Sequence, residues 1–597
     1  MTAAPPGLEI RGEKSPQGIS PATRGRGLFS TKSFEPGEQI ALFDKPLFAL
    51  PSSHDIGTQC NNCLDARRQP TKLCTGCRAV AYCSPACQRA HWSRYHKFEC
   101  KPLCRALESA ALNLISNHAA EVVRADSTSV IPDAAIDTLE IPTPVRALIL
   151  AMMRYEKDTS GNGIRKQIEQ LESNTVAFVR NQNLWNDFKL QAAAACKFTD
   201  LQTEEKIKMA IEVMCRIHTN SFDRSDVDTA TSGLYLDTTL AMVNHSCMPN
   251  AVVAFVGQKA YLRAQAPVAA GDELTISYID YTKPLAARQE GLVLYNFACS
   301  CQRCAEDLDI YQVCKVLATS PKTKPMVELN DSFTLVPDVE ILRNPPVLSP
   351  SAAPGLTPKQ VQAIYDKCDI EKNADPENRL GFMRKLWTAC QPLIKADRWA
   401  MEPLAALVRH TTLYFTEIGN YSHALALACY SAQHIDPYKY PAPFAQWRVK
   451  GLLVVAKLLP HIMPVVHPAF AFDGGKAHNE AKGEGRGADP LKKVHPAVLK
   501  ALPDLADGGI YEALMLMALA QGPKGHSEEW PPLESAQLML NDVRQSSPEH
   551  ERITKALAQW FANPTEPSMK AFFDMQFMNA INTLSSHAIE ILTDLLK

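Results

Sequence analysis

An α+β fold with a large helical C-terminal part is predicted by three observations. Short β-like runs with turn signals occur at 24–50 and again at 232–280, a ligand-rich module lies between them at 60–100, and apolar residues recur at helical spacing through 105–215 and from about 359 to 597. A chain of 597 residues is too long for one core and suggests two to four domains. Its 46% hydrophobic and 21% charged residues are ordinary for a soluble globular protein, and a net charge of −2 gives the whole chain no polyanion-binding signature.

Taken in order, residues 1–20 are Pro/Gly-rich and polar and are expected to be disordered. From Arg24 to Leu50 short strands alternate with turns, Glu35-Pro36-Gly37-Glu38 being the strongest turn signal. The module that follows spaces its donors as Cys60-x2-Cys63, Cys74-x2-Cys77, Cys83-x3-Cys87 and His96-x3-Cys100. A tetrahedral zinc site takes four soft donors, and short Cys-x2-Cys spacings place two thiolates on one turn. Eight donors imply two structural zincs. Their order suggests a cross-brace, with Cys60, Cys63, Cys83 and Cys87 on one metal and Cys74, Cys77, His96 and Cys100 on the other. His91 is a rival to His96, which is favoured because one helical turn brings His96 and Cys100 to one face.

Within 105–215, Leu107, Ala110, Ala111, Leu114 and Ile115 recur at helix spacing, and Val145 to Met153 is a second apolar helical stretch. Strand-like runs return at Ala251 to Val256 and Leu274 to Tyr278. Residues 316–358, rich in Pro, Ser and Thr, read as a linker. Beyond them, Gly419-Asn420-Tyr421 followed by Ala424, Leu427, Ala428 and Ala432 resembles part of a tetratricopeptide helix pair, with no sustained repeat period. Asp473 to Asp489 reads as a flexible insertion.

The stretch Gly451 to Val466 is apolar, yet Lys457, Pro460 and His461 interrupt it and it is short for a bilayer span, so a buried helix is expected and no membrane partner. Of 18 cysteines, seven (Cys104, Cys196, Cys215, Cys314, Cys368, Cys390, Cys429) are scattered as buried free thiols would be in a reducing compartment. With no signal pattern in Met1 to Pro6, a cytoplasmic and nuclear protein is expected.

Charge suggests a use for the module. From Cys60 to Arg105 nine Lys/Arg stand against Asp65 and Glu99, a formal +7 that seven thiolates and two Zn²⁺ reduce to about +4. Such a face can meet acidic protein, peptide or nucleic acid, or can simply be solvated.

The module, with Tyr82-Cys83, Gln88 and Trp92, resembles a MYND zinc finger; three residues separate Trp92 from His96 where many members have two. Around it lie Arg24-Gly25-Arg26-Gly27-Leu28-Phe29, then Asn244-His245-Ser246-Cys247-Met248-Pro249-Asn250, then Gly271-Asp272-Glu273-Leu274-Thr275-Ile276-Ser277-Tyr278, then Tyr295-x-Phe297 before Cys299-x-Cys301-x2-Cys304. In this order the set resembles the SET and MYND domain (SMYD) lysine methyltransferases over roughly residues 20–310, and by helical character alone beyond.

The resemblance implies a division into an N-terminal SET segment (21–59), a MYND finger (60–100), a helical SET insert (101–215), a core SET part (216–282), a post-SET zinc segment (283–315), the linker, and a tetratricopeptide-like domain at 359–597. It implies S-adenosylmethionine as cofactor, with Arg24, Gly25 and Arg26 along its methionine end, Asn244 and His245 holding it, Phe297 stacking on adenine, and Asn174 and Asn220 at further contact positions. Asn174 reads equally as a surface helix residue.

Tyr278 would align a lysine amine for in-line attack and Tyr295 would form the second wall of a narrow channel, both beside the cofactor. Cys247 would complete a third structural zinc with Cys299, Cys301 and Cys304, which lack a fourth donor. No obvious acidic or histidine base stands among these motifs, so proton loss through water is expected. Similar fingers bind proline-rich peptides, which favours a protein partner over DNA. A monomeric enzyme with a protein-lysine substrate is the expectation. Its rivals are a catalytically weak or inactive adaptor in transcriptional regulation, and a regulator acting through DNA.

Overall fold

The computed structural model describes residues 4–12, 25–65, 68, 72–118, 141–158, 163–225, 232–319, 356–368, 378–442, 444–466, 495–502, 508–521, 530–544, 548–563 and 566–597. Among them, buried apolar side chains form one core between Leu8 and Ile276, a second between Ile310 and Leu596, and a small third of Cys247, Leu292, Cys299 and Cys304. The architecture is the mixed α+β one predicted, with short strands confined to the first lobe.

Strands from before the cysteine-rich module pair with strands from long after it. Gln39–Phe43 runs antiparallel to Lys259–Ala264, whose other edge carries Ala251–Val256. Phe48–Pro51 pairs with Gly233–Leu236, which pairs in turn with Phe222–Asp223. Residues 52–221 are therefore an excursion from one folding unit. The turn predicted at 35–38 closes with Glu38 N–H donating to the Glu35 carbonyl at 3.0 Å, and Gly37 takes φ 83°, which a side chain would oppose. The same glycine lies against the Phe444 ring of the second lobe, and the Phe444 N–H donates to the Gln265 carbonyl at 3.0 Å.

One expectation is corrected here. Within the segment expected to be disordered, Leu8–Arg11 forms a strand on Gly27–Ser30, with Leu8 buried and backbone pairing supplying order that composition does not suggest. The expected disorder at 13–20, residues 320–355 of the linker expected at 316–358, the insertion at 473–489 and Arg24 lie outside the described residues. The first residues of that linker, 316–319, instead complete helix Ile310–Thr319, and its last, Pro358, opens helix Pro358–Asp366.

The excursion holds the cysteine-rich module and a helical layer. Helix Lys97–His118 begins inside the module and runs past Cys100, so the two share a continuous backbone. Thr143–Glu156 buries Val145 and Ala147 to Met152 against helices Gln182–Thr199 and Glu204–Asn220. Asn181 and Thr203 cap these two helices, their side chains accepting from the Leu184 and Lys206 N–H groups.

A buried charge network fastens the module to this layer. Arg146, from Thr143–Glu156, donates to both Glu99 oxygens at 2.7 and 2.8 Å and to Asn61 Oδ1 at 2.7 Å, while Glu99 also meets His96 Nδ1 at 2.9 Å. Glu99 is fully buried. Burial opposes its charge, and Arg146 outweighs burial, holding the carboxyl below its usual range. Tyr95 adds a 2.8 Å bond to the Pro46 carbonyl, tying the module to the strand layer.

In the second lobe, Leu404–Glu417 and Tyr421–Tyr430 are successive helices packed on one another, with the Asn420 side chain capping the second helix. Helix Gln446–Val466 buries Val449, Leu452, Val455, Ala456 and Leu459, the buried helix expected of that stretch. Among the described residues no helix is long and apolar enough to cross a membrane.

Breaking the Glu99–Arg146 pair leaves a buried carboxylate unpartnered. Arg146→Met is expected to destabilise the first lobe by about 3–5 kcal/mol, and adding Glu99→Gln to recover part of that loss. Chemical denaturation followed by limited proteolysis measures both; a neutral single variant would show that the pair does not fasten the module.

Candidate active site and metal centres

Three groups of four soft donors assemble, each with its ligand atoms within 4.8 Å of one another: Cys60, Cys63, Cys83, Cys87; Cys74, Cys77, His96, Cys100; and Cys247, Cys299, Cys301, Cys304. Zn–S bonds of about 2.3 Å in a tetrahedron place sulfurs about 3.8 Å apart. The Sγ separations of 3.7 Å (Cys63–Cys83), 3.6 Å (Cys83–Cys87), 3.9 Å (Cys74–Cys100), 4.0 Å (Cys247–Cys299) and 3.5 Å (Cys247–Cys304) fit that geometry. Protons are unevenly shared within the groups. A hydrogen bond from Cys63 lowers Cys60 to about 4, and one from Cys77 lowers Cys74 to about 3, while Cys63 and Cys77 are driven far above the thiol range. A divalent cation would let all four donors of a group present lone pairs at once.

The extra residue between Trp92 and His96 is absorbed locally. A π-helical turn spans Trp92–His96, and His96 Nε2 still reaches Cys74 Sγ at 3.1 Å and Cys77 Sγ at 3.6 Å. His91, the rival donor, has Nδ1 at 3.0 Å from the Tyr82 hydroxyl and stacks on His96 at 5.5 Å. The Glu99 contact at Nδ1 orients the His96 ring, so the buried network of the fold also aims a metal ligand.

The third group sits beside the aromatic residues singled out in the sequence. Asn244–His245 lies parallel to Thr275–Ile276, which brings Cys247 and Tyr278 to the same end. His245 Nδ1 accepts from the Tyr278 N–H at 3.0 Å, so its proton resides on Nε2, which faces Cys247 Sγ at 3.3 Å. Both ring nitrogens are thereby engaged by the protein, leaving no ring nitrogen of the expected cofactor holder for a ligand. On the far side of the cluster, Gln289 brackets Cys299 through its N–H (3.0 Å) and carbonyl (2.9 Å), and Arg288 reaches Cys304 Sγ at 3.6 Å.

Tyr278, Tyr295, Phe297 and His245 form one aromatic group. The Tyr278 ring lies 4.9 Å from Tyr295, 5.4 Å from His245 and 6.5 Å, edge-on, from Phe297. Asn296, between Tyr295 and Phe297, adopts φ 59°, a left-handed bend that asparagine tolerates, and both flanking rings reach Tyr278. The Tyr278 hydroxyl donates to the Val243 carbonyl at 2.6 Å. Desolvation, then Tyr295 and Glu273, raises it above the ordinary phenol range, so it stays protonated.

The remaining candidates converge through one relay. Asn244 Nδ2 donates to the Arg26 carbonyl at 3.1 Å and to Glu273 Oε1 at 2.7 Å. The Arg26 guanidinium reaches the Gln170 carbonyl and lies 3.6 Å from Glu172, with its buried Nε lacking a hydrogen-bond partner. Asn220 Nδ2 donates to the Glu172 carbonyl at 2.7 Å, and Asn174, at φ 47°, starts helix Thr175–Arg180, which packs on Val293–Tyr295. A Cβ at Gly27 would sit 2.7 Å from Glu273 Oε1, whereas one at Gly25 would meet nothing within 4 Å. Gly27 thus makes room for Glu273, and Gly25 borders the open space in which a ligand can lie. Sequence reasoning assigned no role to Glu273, although it stands in the quoted stretch ending at Tyr278.

Between the lobes lies a cleft of about 960 Å³. Ile276, Ser277 and Ile279 to Thr282, which flank Tyr278, line it on one side, and the 404–417 and 446–466 helices line it on the other.

Residues 25–279 match the SET domain family model. Among curated proteins, the chain is similar to SET domain and MYND-type zinc finger protein 6 of Schizosaccharomyces pombe (28% identical, 47% of this chain, 50% of that protein). It is likewise similar to histone-lysine N-methyltransferase ASHR1 of Arabidopsis thaliana (28%, 47% and 53%) and to N-lysine methyltransferase SMYD2-A of Xenopus laevis (29%, 47% and 59%). The chain thus spans about half the length of the curated relatives it matches. The match runs across the motifs at 25–29, 244–247 and 271–278, which the fold joins in space, so residues 25–279 form a SET domain, and the similarity to SET and MYND domain proteins over about half of the chain supports that family.

Proposed function

We propose that the protein transfers a methyl group from S-adenosylmethionine to a lysine side chain of a protein. The observation that carries this reading is the aromatic group of Tyr278, Tyr295, Phe297 and His245, next in the chain to the Asn244–Arg26–Glu172 relay through Asn244, with Ser277 and Ile279 on either side of Tyr278 lining the interlobe cleft. It gives a two-sided site, one face for a cofactor and the other for a narrow, apolar-walled amine.

The fit to the cofactor rests on the donor set. Arg26, with one unsatisfied buried nitrogen, and the open space at Gly25 suit a carboxylate end, Phe297 offers a flat apolar platform for a base, and Asn174 and Asn220 border the same region. When bound, S-adenosylmethionine supplies the electrophilic methyl group. The chain must then present a neutral amine in line with it.

Only about one lysine in 10³ is neutral at pH 7, so desolvation between Tyr278 and Tyr295 favours proton loss. The Tyr278 proton is committed to the Val243 carbonyl, which leaves phenol lone pairs to accept an amine N–H and fix its approach. Glu273 is tied to Asn244 and both nitrogens of His245 are engaged, so neither serves as a base and the proton departs through water.

Zn²⁺ is proposed for all three donor groups. The cross-brace at 60–100 is read as a MYND finger that brings a proline-rich peptide partner, and the second lobe as a tetratricopeptide-like domain. A cytoplasmic and nuclear location is proposed with this substrate class.

Tyr278→Phe is expected to lower labelled methyl transfer into fractionated lysate protein by about 10²-fold or more, with S-adenosylmethionine affinity by calorimetry changed no more than a few fold. Full activity in that variant would remove Tyr278 from the mechanism. Elemental analysis of the purified chain is expected to give three zinc equivalents; two would mean that one four-donor group is wrongly assigned.

A further inference from the structure

The cleft beside Tyr278 is charged unevenly. Arg409, Lys439, Lys450 and Lys457 line it, against Asp280 and Asp436. Lys439 is consumed by a buried ion pair with Glu402. Asp280 is held by Thr282, accepting from its N–H at 2.9 Å and its hydroxyl at 2.6 Å. Asp436 is half-buried, and burial raises it to about 7, which removes part of its charge near neutrality. Arg409, Lys457 and Asp280 are exposed and Lys450 is half-buried, so three cations face one exposed carboxylate on the solvent-facing wall and positive charge is in excess.

That wall also exposes apolar surface of a kind usually buried. On helix Gln446–Val466, Trp447, Lys450, Val454 and Lys457 recur at positions that share one helix face, and all four line the cleft. Trp447 is 47% exposed and Val454 43%; Leu413, on the facing 404–417 helix, is 50% exposed. Lys450 lies over the Trp447 ring at 5.2 Å. Lys450 and Lys457 are separated by two turns, about 10 Å along the axis, a span that about three residues of an extended peptide cover. An alternation of cation and large apolar group, beside the segment that carries Tyr278, suits a partner with the opposite charge and its own apolar side chains.

We infer that the substrate is a lysine-bearing segment that also carries carboxylates, at about three-residue spacing, and a large apolar residue, which engage Lys450, Lys457 and Trp447 while the target lysine enters beside Tyr278. This rests on the methyltransferase reading and adds a substrate class to it. Lys450 and Lys457 are specificity-determining contacts and act on productive binding, not on the amine.

The test uses the full-length protein and a position-scanned library of peptides with one central lysine, each flanking position occupied in turn by Glu, Ser or Lys. Labelled methyl incorporation is read as kcat/KM. Glu-flanked peptides are expected to exceed Lys-flanked ones by about tenfold, the scale of two solvent-screened ion pairs, with the preference shrinking at 0.5 M salt, where the Debye length falls to roughly 4 Å. Lys450→Glu/Lys457→Glu is expected to reverse the order while S-adenosylmethionine affinity is unchanged. Transfer with equal efficiency to Glu- and Lys-flanked peptides, or a preference retained in the double variant, overturns this inference and leaves the methyltransferase reading standing. Failure to methylate any peptide overturns both.

Discussion

The sulfur of Cys247 is the constraint on which the functional half of this molecule depends. It joins the segment Asn244–Cys247 to Cys299, Cys301 and Cys304, and so brings Tyr295 and Phe297 against Tyr278. Among the described residues the buried part of the local apolar core is Cys247, Leu292, Cys299 and Cys304, with Tyr278, Tyr295 and Phe297 partly buried against it, a small core to fix such a junction by hydrophobic burial alone. A metal held by these four sulfurs would supply what packing does not. His245 extends the constraint, because accepting from the Tyr278 N–H obliges its other nitrogen to face the Cys247 thiolate. The geometry of the aromatic group is thereby coupled to the state of the cluster.

A second constraint operates at the cysteine-rich module. Its donors define a small unit, yet Arg146 links Glu99 and Asn61 across to the helical layer, and Tyr95 reaches the strand layer at Pro46. The module is built into the first lobe at several points and not hung from it. Any partner it binds is therefore presented at a fixed position relative to the strands that carry the site.

Legibility in the sequence followed the range of each interaction. The soft donors stood out because Cys-x2-Cys spacing is local and chemically specific, and they gather in the two groups of four that their order implied. The 35–38 turn was readable because Pro and Gly each fix a backbone angle there. Glu99 and Arg146 were not readable, since a buried ion pair between residues 47 apart follows no spacing rule. The roles of Glu273 and of the His245 ring emerged only once two distant segments were paired. The strand Leu8–Arg11 was hidden in a polar, Pro/Gly-rich setting, where the order comes from the partner strand at Gly27–Ser30. The cations of the cleft belong to a lobe whose readable pattern was helical and carried no site motif, and they gain meaning only from where that lobe docks.

The third group of sulfurs is proposed to hold together the cofactor-facing and lysine-facing halves of the proposed site. Cys304→Ser tests this most directly, because Cys304 belongs to the cluster and its side-chain hydrogen bonds run to Cys247 and Arg288, not to the residues proposed to hold the cofactor. Zinc content and S-adenosylmethionine affinity should be measured together on the purified variant, with the thermal transition of the first lobe as a control for folding. Loss of one zinc equivalent together with loss of cofactor binding, in a protein whose first lobe still melts cooperatively, is the expected result. Loss of that zinc with cofactor affinity unchanged would contradict the account.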